Sequence, residues 1–249
     1  MSLALEARKK KLAQAMGNKQ SEAQLVAAEQ VNAPEVVTAD HNPLKDVFEQ
    51  LSGAMQSDLA ALKQLDTLED KAAYKAEALE KQGYLNYLQN YKDQGAHFPN
   101  IVLSWVFIWL VDLGRYRDVV AWLPLMTSQQ QPLPSMFKTK HWADFVADQF
   151  YDAGVKQLEN QALNIFERCE LIGYFNDVCK LFDQHNWQES AGSVPAGKLF
   201  AMAGKLEHQN HNYTNALNFY LKAQQLNDGA GVKGKAKDIA KQLGIELEF

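Results

Sequence analysis

One segment of this chain restricts its folding more than any other. Ile101-Val102-Leu103-Ser104-Trp105-Val106-Phe107-Ile108-Trp109-Leu110-Val111 is apolar almost without interruption. A helix with no polar face has to be surrounded by other elements, so Pro99 to Leu113 is read as a central core helix. The run is about half of the roughly 20 apolar residues that a membrane span needs, which excludes a transmembrane reading of it. Hydrophobic residues make up 47% of the 249 residues and charged residues 22%, enough to clothe such a helix with a sizeable core.

Around that core the patterning is helical. Val/Ile/Thr alternation is missing and Gly and Pro are few, so the expected fold class is all-α. Residues 1–16 read as a basic N-terminal helix, with Leu3, Leu5, Leu12 and Met16 along one stripe. Residues 17–43 are polar, with Gln20, Ser21, Gln24, Gln30, Asn32 and Pro34, and read as a flexible linker. Asn42-Pro43 then signals a helix start, because Pro suits the first helical position. From there Leu44, Phe48, Leu51, Met55, Leu62 and Leu65 follow at heptad spacings, with Asp58 breaking the seam. Thr67-Leu68-Glu69-Asp70 resembles a helix cap, and a second helix is expected from about Glu69 to Lys92. The expectation is a long antiparallel helical hairpin over 44–92. It serves either as an oligomerisation arm through those six apolar residues or as an ordinary layer on the core.

Residues 98–249 are expected to form a helical-hairpin domain resembling tetratricopeptide repeats. After the core helix, Gly114 closes it and Arg115-Tyr116-Arg117-Asp118 opens a partner through Met126. Further helices are expected over about 141–159 and 162–185. Within 197–228, Gly204, Tyr213, Ala216, Tyr220 and Ala223 match the repeat's small and aromatic spacing, where small residues let helices approach and aromatics fill the gap. A single copy builds no solenoid and says nothing of a ligand.

In order and spacing the chain from about 44 to 242 resembles the small terminase subunit of the P-two-like myophages, often labelled the terminase endonuclease subunit. The segments that carry the resemblance are the apolar block Ile101–Leu113 with Gly114-Arg115-Tyr116, then Tyr213-Thr214-Asn215-Ala216-Leu217, Ala223-Gln224-Gln225-Leu226 and Ala230-Gly231-Val232-Lys233. The resemblance implies a protein that recognises concatemeric double-stranded phage DNA near its cohesive-end site and directs the large ATPase–nuclease subunit to it. It further implies a homo-oligomer, in ring form, in the cytoplasm of the bacterial host. The family's long basic C-terminal tail has no counterpart in Glu246-Leu247-Glu248-Phe249, so DNA contact is expected elsewhere.

Net charge is −5, so DNA affinity would have to come from a local patch repeated around an oligomer. The expected patch is Arg8, Lys9, Lys10, Lys11 and Lys19, five cations opposed within the first 20 residues only by Glu6. Lys233, Lys235, Lys237 and Lys241 form a second cationic run, and Arg115 with Arg117 a third. The label endonuclease directs attention to Asp144, Asp148 and Asp152, one helical turn apart, with His141 beside them. Three acids on one helix cannot wrap an ion, and a solvated acidic face is the plainer account. His208 and His211 lack further ligands nearby for zinc. No phosphate-binding Gly-rich loop and no Gly-x-Ser-x-Gly elbow occurs. No catalytic residue, metal ligand or cofactor is therefore assigned, and catalysis is expected of the large subunit. Cys169 and Cys179, with nine residues between them, fit a reducing compartment.

Overall fold

Asn100 opens the apolar helix by accepting the Leu103 backbone N–H at 2.9 Å, and Gly114 closes it at φ 67°. In the computed structural model, which describes residues 43–160, 164–190 and 192–247, that helix spans Ile101–Asp112. The basic segment 1–16 and nearly all of the linker 17–43 lie outside the described residues. Eleven α-helices and one 3-10 turn, with no strand, are present among the described residues, and the fold is all-α.

In chain order the helices are α1 (Pro43–Leu62), α2 (Leu68–Lys81), α3 (Tyr84–Asp93), α4 (Ile101–Asp112), α5 (Tyr116–Ser128) and α6 (Trp142–Asn160). They continue with α7 (Ile165–His185), α8 (Trp187–Ser190), α9 (Ser193–Gln209), α10 (Tyr213–Leu226) and α11 (Lys233–Leu243). The described residues from 43 to 247 form one compact unit. Nine residues of α4 are buried, from Val102 to Val111 with only Trp105 excepted, and α1, α2, α3 and α5 all contact it. An apolar cylinder thus obtains the complete surround that its sequence demands.

Thr67 caps α2 by accepting the Asp70 N–H at 3.0 Å. The stretch expected as one helix over 69–92 is two, α2 and α3, parted at Gly83, whose left-handed φ of 75° glycine adopts without the steric cost of a Cβ. The break lets α3 turn its tyrosines inward: Tyr84, Tyr87 and Tyr91 are all buried. α1 lies against α3 and α4. Of the heptad residues, Leu44, Met55 and Leu62 of α1 are buried, Phe48 and Leu51 of α1 and Leu65 just beyond it are partly buried, and all six pack on the chain's own core. Asp58, the interruption in the seam, is also buried. It accepts the hydroxyls of Tyr74 at 2.8 Å and Tyr84 at 2.7 Å.

A second buried polar knot ties the loop before α4 to the loop after α5. Gln131 is 4% exposed; its Oε1 accepts the Asn100 N–H, its Nε2 reaches the Phe98 carbonyl, and its own carbonyl accepts Trp142 Nε1–H at 2.7 Å. A stretch that looks like a plain polar loop is in fact a hub, because buried loop backbone must find partners somewhere.

The C-terminal helices pack differently, around small residues. α9 and α10 turn back on one another through Asn210–Asn212, α6 crosses α9, and α11 covers α10. Gly204 of α9 faces the ring of Tyr220 so closely that an added Cβ would meet it at 2.5 Å. Gly154 of α6 is equally tight against Met202.

Candidate nucleic-acid interface

The close α9–α10 crossing at Gly204 fixes what stands next to it in sequence. Lys205 follows Gly204 and is only partly exposed, and His208 lies one helical turn further along α9. His211 ends the turn in a left-handed conformation, φ 60°, and its Nδ1 stands 3.2 Å from the Tyr213 hydroxyl. From α11, whose Ala236, Ile239 and Ala240 are buried, Lys235 is exposed and reaches the same place. Together with Tyr220 and Gln209 these side chains line an open pocket of about 420 Å³ that has no carboxylate in its wall.

Burial, and then the charge of Lys235, lowers the Lys205 ammonium below the ordinary lysine range, so two cations are held within mutual repulsion. Burial pushes the Tyr220 phenol up to about 12, and its hydroxyl makes no hydrogen bond. Two sequence features considered separately, the His208/His211 pair and the lysine run from Lys233 to Lys241, thus meet in space. Lys205 was not singled out; its only signal was adjacency to Gly204, the tightest point of the crossing.

Arg115 and Arg117 border a larger open groove of about 730 Å³ between the start of α5, the end of α6 and α7. Arg115 is paired with Asp118 at 2.7 Å, and Glu167 and Glu170 also line the groove, so its charge is mixed. The expected DNA-contacting residues Arg8, Lys9, Lys10, Lys11 and Lys19 lie outside the described residues.

The acids of α6 are not gathered into a metal site: among the described residues no group of three His, Cys, Asp or Glu is placed to hold an ion. Asp144 turns into the body and is 9% exposed, whereas Asp148 is exposed. Burial raises the Asp144 carboxyl to about 6, against a lowering by His141 and by the Thr139 hydroxyl 3.4 Å from Oδ2; its Oδ1 has no partner. A carboxyl whose folded value is raised favours the fold while protonated. That contribution is complete below the ordinary aspartate value near 4 and is lost as pH rises through about 6. Asp144→Asn is therefore expected to stabilise the protein by about 1–2 kcal/mol at pH 8, after discounting for solvent screening, and to have no effect at pH 4. Urea unfolding at the two pH values checks this; a variant destabilised at pH 8 would mean that the carboxylate is held by a partner.

A model of the phage small terminase subunit family matches residues 53–189, more than half of the chain, and the chain belongs to that family. The chain is also similar to a Haemophilus phage HP1 (strain HP1c1) protein named "Probable terminase, endonuclease subunit", 27% identical over 99 residues. That alignment covers 40% of this chain and 34% of the relative, so well under half of the relative is spanned. No solved structure matches. Family membership supports a role in DNA packaging. No helix among the described residues is long and apolar enough to cross a membrane. The matched span ends before α9, so the lysine-lined pocket is built almost wholly from chain beyond it.

Proposed function

We propose that this small terminase subunit recognises concatemeric double-stranded phage DNA near the cohesive-end site and brings the large ATPase–nuclease subunit to it, acting as a homo-oligomeric ring in the host cytoplasm. The family match over residues 53–189 is the observation that carries this reading. Arg8, Lys9, Lys10, Lys11 and Lys19 supply phosphate contacts of the counterion-releasing kind, which are independent of sequence and strongly salt-dependent. A net charge of −5 makes one subunit a poor binder. Copies arranged around a ring bind by avidity, with no new contact required.

The oligomerisation contact is assigned to the arm that carries Leu44, Phe48, Leu51, Met55, Leu62 and Leu65, of which Leu44, Met55 and Leu62 are buried within the chain and shape the helix from inside. On α1 the larger apolar side chains that reach the surface are Val47, 42% exposed, and the partly buried Phe48, Leu51 and Leu59. Chemistry is assigned to the large subunit in this reading.

Gel shifts on cohesive-end duplex across a salt series test the proposal, with light scattering of the same sample. The expected result is a mass well above the monomer and a steep loss of affinity with salt. Changing Arg8, Lys9, Lys10 and Lys11 to Ala is expected to make the log–log salt slope shallower by about 3–4, at about 0.9 per phosphate contact. A monomer that ignores duplex at low salt would leave a protein-interaction adaptor instead. Cleavage by the isolated chain with Mg²⁺ or Mn²⁺ would return the nuclease chemistry to this subunit.

A further inference from the structure

We propose that the pocket between α9, α10 and α11 is a phosphoryl-anion site, built from Lys205, Lys235, His208, His211 and the Tyr220 hydroxyl.

Three independent observations converge on it. The first is charge. Lys205 and Lys235 face one cavity with no carboxylate in its wall, and neither forms an ion pair with a described residue. A fold that holds two ammonium groups together without a counter-ion has left room for one from outside. Phosphoryl oxygens, several on one small centre with the charge shared among them, answer two lysines better than a single carboxylate does.

The second is an orphaned donor. Tyr220 is completely buried, and its hydroxyl, which stays protonated at any working pH, has no acceptor in the protein. Buried hydroxyls are nearly always satisfied, and this one belongs to a residue in the wall of the cationic cavity, where an anion supplies an acceptor that the protein does not. The amide of Gln209 stands there too with its Oε1 unpartnered; turned end for end, it offers a further N–H.

The third is rigidity. Gly204 presses Tyr220 into place, the ring of His208 lies edge-on to those of Tyr213 and Tyr220, and the strained turn at His211 holds its imidazole against Tyr213. The tyrosine and histidine side chains are thus fixed before a ligand arrives, which lowers the entropy lost on binding. With about 420 Å³ available, the pocket has room for a phosphoryl group and part of what bears it. That group is either a free phosphorylated ligand or a phosphate of the DNA backbone.

Pyrophosphate is the probe, added to the full chain at constant ionic strength. Thermal unfolding of the wild type is expected to shift upward and saturate. In Lys205→Gln/Lys235→Gln the affinity is expected to fall at least tenfold, while the ligand-free midpoint stays level or rises because the repulsion is gone. Tyr220→Phe keeps the ring and is expected to weaken pyrophosphate several-fold without loss of ligand-free stability. The variant with Arg8, Lys9, Lys10 and Lys11 changed to Ala should respond to pyrophosphate as the wild type does, which separates this site from the DNA reading above. Displacement of pyrophosphate by a short duplex at low salt identifies the backbone as the source, and persistence identifies a free phosphoryl ligand. The absence of a saturable shift in the wild type, or an equal shift in the double lysine variant, would overturn the proposal.

Discussion

Asp58→Ala is expected to destabilise the fold by about 3–4 kcal/mol, the larger part of the margin of many single domains. Asp58 is 4% exposed and accepts two phenols, Tyr84 from a completely buried position and Tyr74 from a half-buried one. A hydrogen bond to a charged acceptor contributes about 1.5–3 kcal/mol, and its removal here leaves two hydroxyls with no other partner. Asp58→Asn keeps one acceptor oxygen and should lose about half as much. The phenols carry a pH signature as well. Burial first, then the hydrogen bond to Asp58, raises both well above the ordinary tyrosine value, so the folded state holds these protons more tightly than the unfolded chain. Their contribution is complete below pH about 10 and is lost as pH climbs beyond it. Asp58→Ala should flatten that alkaline decline. Urea unfolding followed by circular dichroism at pH 7 and pH 11 reads both effects; a loss below 1 kcal/mol at pH 7 would show that the two hydroxyls find other partners.

That same residue shows where sequence reasoning reaches its limit. Heptad spacing over 44–65 correctly indicates an apolar stripe, but it cannot say what covers the stripe. The cover is α3 and α4 of the same chain, and Asp58, an apparent flaw in the seam, is where α1 is fastened to two tyrosines. Neither tyrosine is recognisable in advance, because each lies 16 or more residues away. The core helix was legible because an apolar cylinder has only one stable environment, and the Thr67 cap because capping is local chemistry. Gly83 was not, since a glycine without a neighbouring proline is compatible with a continued helix until its φ is known. The basic pocket escaped notice for a related reason. Lys205 and Lys235 are thirty positions apart, and only the packing of α9, α10 and α11 brings them together.

Gly204→Val is expected to cost about 3 kcal/mol or more, through the contact that sets the α9–α10 crossing. An added Cβ would lie 2.5 Å from Tyr220 Cδ1, 2.6 Å from Cε1 and 3.2 Å from the Ala216 carbonyl oxygen. None of these is the free end of a flexible chain: the ring is fully buried and the carbonyl is backbone. Overpacking of this kind forces helices apart at about 1–3 kcal/mol, and valine's two further methyls add to the clash. Alanine at the same position recovers about 1 kcal/mol of helix propensity over glycine, so Gly204→Ala should show a smaller net loss of about 1–2 kcal/mol. Gly173 is the internal control. It lies inside α7, where an added Cβ meets nothing within 4 Å, and Gly173→Ala should be neutral or stabilising by up to about 1 kcal/mol. Since Tyr220 must move to admit valine, Gly204→Val is also expected to lose the pyrophosphate response at temperatures where it remains folded. Equal stability of Gly204→Val and Gly173→Ala would mean that α9 and α10 can separate without cost, and the pocket between them could not then be a rigid one.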